Sequence, residues 1–105
     1  MTLSRHIFEG IVSDLERGAE IGVFTPSYTW AMSMMYDIMQ HTDESYTKLR
    51  LSAGEILHDS GGRARVFFHD DQARGYQFDT VVVPYGSGIE LRLLQLGQEV
   101  EVIEY

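Results

Sequence analysis

Residues 78–84, Phe78-Asp79-Thr80-Val81-Val82-Val83-Pro84, constrain the fold more than any other stretch of the chain. Three consecutive β-branched valines leave no polar face, so a strand built from them must be covered on both sides, as the strands of parallel sheets are. Proline, which donates no backbone hydrogen bond, closes the run. A second short apolar run, Ile21-Gly22-Val23-Phe24, ends at Thr25-Pro26 and reads as another buried strand near 21–25. Parallel neighbours need crossover connections of a dozen or more residues, usually helical.

Two segments have the period of a helix. Leu3, Ile7, Phe8, Ile11, Val12 and Leu15 mark one face over 3–17, with Arg5, Glu9, Asp14, Glu16 and Arg17 expected mostly on the other and Gly18 as the stop. Ser27 is the expected N-cap of a second helix over 27–40. Its stripe of Trp30, Ala31, Met34, Met35, Ile38 and Met39 is predicted to pack on the sheet, although methionines also suit an adaptable binding surface. A β-hairpin is predicted near 54–69, where Glu55–His58 and Arg63–His69 flank the turn Asp59-Ser60-Gly61-Gly62. Residues 47–51 alternate polar and apolar, 89–96 fit either period, and 99–105 read as a half-exposed terminal strand. The expected fold is therefore a single α/β domain over 1–105: a small, mostly parallel sheet with a hairpin and two main helices.

A chain of 105 residues has room for one core of ordinary size. Its formal net charge is −8, from sixteen acidic side chains against eight Lys and Arg, of which Lys48 is the single lysine. Direct nucleic-acid binding needs clustered cations and is disfavoured. An acidic surface suits a basic protein partner, or a nucleic-acid groove that it occupies as a decoy. The absence of cysteine excludes disulfides and thiolate metal sites. Polar residues interrupt the first sixteen positions and every apolar run is short, so neither a signal peptide nor a membrane contact is expected, and a cytoplasmic location is.

His58, Asp59, His69 and Asp70, with Asp71, are metal-ligand types and would serve a small metal-dependent hydrolase if they converged. Neighbours in a loop point in different directions, however, and a solvated turn is the simpler reading. Ser60 beside His58 and Asp59 has the residue types of a hydrolytic triad without a nucleophile-elbow sequence. Gly61-Gly62 and Gly86-Ser87-Gly88 lack the Lys and Ser/Thr of a phosphate-binding loop. Asp79 reads as a polar edge at a strand start. No catalytic, cofactor-binding or metal-binding residue is assigned, and no cofactor is expected.

The order of the segments resembles an interior piece of a P-loop motor ATPase core, nearest to phage terminase large subunits and related helicases. In that family a helix follows the phosphate-binding loop, then a strand ends in a Thr/Pro-containing segment before a second helix. Leu3–Arg17, Ile21–Phe24, Thr25-Pro26-Ser27-Tyr28 and Thr29–Gln40 match that order. A hairpin with a glycine turn matches Glu55–His69, and Arg74-Gly75 leading into Phe78–Val83 matches the approach to the Walker B strand. The resemblance covers Met1 to Tyr85. The phosphate-binding loop would precede Leu3, with Thr2 the most that remains of it, and Pro84-Tyr85 stands where the acidic pair belongs. The resemblance thus implies a scaffold without the phosphate cradle, the Mg²⁺ carboxylate or the water-orienting glutamate. It also implies a missing inner strand, leaving an edge beside Val81–Val83 to be filled by Glu99–Tyr105 or closed by edge pairing in a homodimer.

The leading functional expectation is a non-catalytic, phage- or prophage-like protein that binds another protein and mimics or regulates a terminase- or helicase-type motor, in the host cytoplasm if phage-encoded. The alternatives are an acidic nucleic-acid mimic inhibiting a defence or transcription protein, and the metal-dependent hydrolase.

Overall fold

A computed structural model describes residues 3–89, 91–92 and 99–105. Two helices, α1 (Arg5–Glu16) and α2 (Tyr28–Gln40), accompany six strands: β1 (Glu20–Phe24), β2 (Thr47–Arg50), β3 (Glu55–His58), β4 (Arg63–Phe67), β5 (Thr80–Val83) and β6 (Glu101–Glu104). The strands form one sheet in the order β2-β3-β4-β1-β5-β6. The class is α/β, as expected, with both helices and the hairpin where the sequence puts them.

The sheet is mixed rather than mostly parallel. β1 pairs in parallel with both β4 and β5, and β5 pairs in parallel with β6. β2 and β3 are antiparallel, as are β3 and β4. The difference arises because the hairpin is not an appendage: its second strand is inserted beside β1, and the alternating segment Thr47–Arg50 then extends the sheet from β3. β1 and β5 are adjacent and parallel, in the register Ile21↔Thr80 to Val23↔Val82. β6 pairs along the far side of β5, so that side of Val81–Val83 is covered by the terminal strand expected over 99–105, which spans Glu101–Glu104. The strand near 78–83 begins at Thr80. Asp79 binds across three strand starts: its Oδ2 accepts from Glu20 N at 2.8 Å, its N–H donates to Glu20 O, and its carbonyl accepts from Glu101 N.

Side-chain alternation divides the core into two layers. Ile21, Val23, Ala64, Val66 and Val82 face the helices and meet Phe8, Ile11, Leu15, Met34, Met35 and Ile38. Phe24, Phe67, Val81 and Val83 face the other way and are covered by Ala73 and Phe78 from the β4–β5 connection, with Ile89, Val100 and Val102 alongside. All three valines of β5 are fully buried, which is why that strand needs no polar face. Ser27 caps α2 by accepting from Trp30 N, and Ser4 caps α1 by accepting from Ile7 N. Gly18 has φ 84°, the left-handed conformation that ends α1. Residues 93–96 of the ambiguous 89–96 stretch, and Glu90, lie outside the described residues.

Asp14 corrects the helix reading. It follows Ile11 by three and Ile7 by seven, which puts it on the apolar stripe, and it is buried against the sheet. There its carboxylate accepts from Thr80 Oγ1 at 3.0 Å and pairs with Arg17. The hydrogen bond and charge of Asp14 raise the Arg17 pKa above its ordinary value.

At the other end of the sheet the Tyr105 hydroxyl donates to Phe24 O at 2.6 Å, and Tyr105 N donates to Val83 O at 3.0 Å. Burial pushes the Tyr105 hydroxyl up to about 12. An unfolded tyrosine ionises near pH ~10. Because the folded value is the higher one, the neutral ring's contribution is complete below the unfolded pKa and is lost as pH rises through the folded value. The urea midpoint is therefore expected to fall across that alkaline window in the wild type and to fall less in Tyr105→Phe, as measured by tryptophan fluorescence. Equal slopes in the two proteins would refute the assignment.

Candidate functional site

The ends of the parallel strands define where a ligand of an α/β sheet would sit. After β1 the chain leaves toward the helices, whereas after β4 and β5 it leaves toward the opposite layer. Adjacent strands whose connections depart to opposite sides leave a crevice at their carboxyl ends. A cleft of about 340 Å³ lies there, lined by Phe24, Thr25 and Pro26 after β1, Phe68 and His69 after β4, and Pro84, Ser87, Ile89 and Arg92 after β5. No carboxylate is among those lining residues. Thr25 Oγ1 lies 2.8 Å from Phe67 O and 3.2 Å from Ser27 O, so that hydroxyl is turned onto the protein's own backbone.

The residues singled out for metal or triad chemistry do not come together. His58, Asp59 and Ser60 stand at the hairpin turn, while His69 and Asp70 follow the other end of β4. Five residues of β4 separate the two groups, and at ~3.3 Å per residue they lie at opposite ends of that strand. Among the described residues no three His, Asp or Glu form a cluster able to hold a metal ion. His58 Nδ1 accepts from Ser60 N at 3.0 Å, and Ser60 Oγ donates to Leu15 O, so this trio closes the turn onto α1. His69 belongs to the start of a 3₁₀ turn, where the Gln72 side chain accepts from Phe68 N and His69 N.

A different surface gathers residue types suited to recognition. Tyr28, Met32 and Tyr36 follow one another at four-residue spacing on α2, which aligns them on one face. Tyr28 is 60% and Tyr36 50% exposed. Beside them runs a groove of about 190 Å³ whose walls include Tyr28, Met32, Met35, Leu51, Phe68 and Tyr76. Tyr28 packs edge-on to Phe68 with ring centroids 5.5 Å apart. The Tyr76 ring is held by the Arg65 guanidinium 4.1 Å from its centroid. Arg65 is fixed in turn by Glu20 at 3.3 Å and Glu55 at 3.9 Å. An ion-paired arginine thus holds an aromatic wall in place from beneath. Of the six tyrosines only Tyr105 is not exposed.

Sequence reading found the methionines but not this groove. Met34 and Met35 are buried in the helix–sheet layer, as packing residues should be, and half-buried Met32, three residues before Met35, packs at the margin of that layer and lines the groove together with Met35. The available signal was the Tyr28-x₃-Met32-x₃-Tyr36 spacing, a second stripe beside the core stripe. No helix among the described residues is long and apolar enough to cross a membrane. No protein-family model, curated protein or solved structure matches the chain.

Proposed function

We propose that this domain is a non-catalytic binding protein with a motor-derived scaffold, and that it engages a terminase- or helicase-type motor subunit through the α2 groove. The observation that carries the reading is the Tyr28–Met32–Tyr36 stripe, exposed at both tyrosines and half-buried at Met32, beside a groove walled by rings. Aromatic and methionine side chains are the types enriched in protein interfaces, and tyrosine gives large contact area for little lost side-chain entropy. The ancestry is supported by the parallel pairing of β1 with β5 and by β6 standing where an inner strand of the motor would be. The loss of nucleotide chemistry is supported by Pro84-Tyr85 at the end of β5, where the resemblance would place the acidic pair. Exposed carboxylates are spread over α1 (Glu9, Glu16), the turns (Asp43, Glu44, Asp59, Asp71) and β6 (Glu101, Glu104), a distribution that favours this reading over a nucleic-acid decoy.

Titration calorimetry with Mg-ATP is expected to give no binding heat, and micromolar affinity would overturn the negative half. For the positive half, a purified large terminase subunit or replicative helicase is the probe. Tyr28→Ala combined with Tyr36→Ala is expected to weaken its binding by about 30-fold or more, since interface tyrosines commonly cost ~1–2 kcal/mol each on truncation. Unchanged affinity in the folded double variant would remove the groove from the interface.

A further inference from the structure

The two ends of the sheet carry opposite charge. β2 is one edge strand, and its exposed side chains are Lys48 and Arg50, neither of which makes an ion pair among the described residues. β6 is the other edge, with exposed Glu101 and Glu104 and with Glu99 just before it. Six strands spaced ~4.8 Å apart account for much of the 38 Å long axis, so these charges sit at opposite poles of the molecule.

Both edges also hold unused backbone groups. Glu101 N and Tyr105 N donate to β5, which turns the N–H and C=O of Val102 and Glu104 outward. Tyr46 O accepts from Asp59 N across the β2–β3 pair, so by alternation the backbone groups of Thr47 and Leu49 face away from β3. Among the described residues no strand pairs with either outer edge.

We infer that copies of this chain associate head to tail, the outer edge of β6 in one copy pairing with the outer edge of β2 in the next. Two antiparallel steps separate β2 from β4 and the remaining steps to β6 are parallel, so β2 and β6 run in the same direction. A copy displaced along the sheet axis therefore presents β2 parallel to β6 with both helix layers on the same side. Val102 faces away from the helices and Ile103 toward them, which puts Glu104 on the face away from the helices. Leu49 faces the helices, which puts Lys48 and Arg50 on the same face as Glu104. The same charges disfavour the symmetric alternatives: β6 against β6 opposes glutamates, and β2 against β2 opposes Lys48 and Arg50. A contact between two different edges of one chain does not close on itself, so it extends into open oligomers. The net charge of −8 on each copy opposes approach, but screening limits that repulsion to about 8 Å at physiological salt. Four-residue edges give a small interface and weak association.

This inference stands apart from the α2 groove, and its test leaves Tyr28 and Tyr36 untouched. Sedimentation velocity from about 10 μM to about 1 mM, a range chosen for weak contacts, is expected to show the wild-type mean mass passing that of a dimer. Lys48→Gln with Arg50→Gln, or Glu101→Gln with Glu104→Gln, is expected to weaken self-association about ten-fold, as the loss of the cross-strand pairs of Glu104 with Lys48 and Arg50, and of the nearby charge of Glu101, implies. An equimolar mixture of the two double variants retains one intact edge of each kind and is expected to form a 1:1 heterodimer that grows no further. Amide NMR spectra that keep the wild-type dispersion check that both variants fold. A wild type that stays monomeric at the highest concentration, stops at a dimer, or associates equally well in either double variant would overturn the inference.

Discussion

Replacing Gly62 by alanine is expected to destabilise the protein by about 3 kcal/mol, at the upper end of what overpacking costs, and to lower Tm by about 15 °C in a domain of this size. The cause is a backbone-on-backbone approach. A Cβ at Gly62 would fall 2.8 Å from the carbonyl carbon and 2.9 Å from the Cα of Leu15, and closer still to the Leu15 carbonyl oxygen. None of these atoms can rotate away, because they belong to the last turn of α1. The approach is locked from both sides: Ser60 Oγ donates to Leu15 O, and Gly62 N donates to Ser60 Oγ at 3.1 Å. Gly61→Ala is the control. Its φ of 96° penalises a side chain, but open space surrounds it, so a loss of only ~1–2 kcal/mol is expected there. Thermal unfolding by circular dichroism measures both. A Gly62→Ala cost no larger than the Gly61→Ala cost would show that the hairpin turn is not pressed against α1.

Phe78→Ala is expected to cost about 3–5 kcal/mol, the range for deleting a buried ring. Phe78 is buried against Phe24 and Phe67, with ring centroids 6.4 and 5.8 Å away, and closes the layer opposite the helices. Its ring also lies across Gly22, where an added Cβ would meet Phe78 ring carbons at 3.1 Å. Gly22→Ala should therefore cost ~1–3 kcal/mol in the wild type through overpacking. In the Phe78→Ala background the same methyl enters vacated space, so the two losses should add to less than their sum. A double-mutant cycle by urea denaturation measures this coupling, expected at ~1 kcal/mol or more. Strict additivity would mean that Phe78 does not rest on Gly22 in solution.

Gly22 and Gly62 illustrate the limit of reading glycines from a sequence. Both stand beside obvious strand and turn signals, yet what each accommodates is a group distant in the chain: Phe78 for one, the end of α1 for the other. Asp14 shows the same limit for polar residues. Its charge suggests a solvated position, whereas its spacing from Ile7 and Ile11 puts it on the inward face. Its partner Thr80 is 66 residues away in the chain. The groove beside α2 was partly legible, since Tyr28, Met32 and Tyr36 share a helical face by spacing alone. Its other walls come from two separate connections, Leu51 between β2 and β3, and Phe68 and Tyr76 between β4 and β5.

The sequence by itself determined the elements whose signals are local. A triple valine run has to be covered on both faces, helical stripes have to bury one side, and Ser27 and Gly18 satisfy or end helix termini whatever the rest of the chain does. Tertiary structure alone decided the strand order. Placing β4 between β3 and β1, adding β2 antiparallel at one edge and laying β6 along β5 depend on which backbone edges meet. Edge pairing is a contest between distant segments of similar pattern, and no residue or short run of residues encodes its outcome. The opposed charges of β2 and β6 follow from the same fact: their residues are plain in the sequence, but only the closed order of the sheet makes them its two ends.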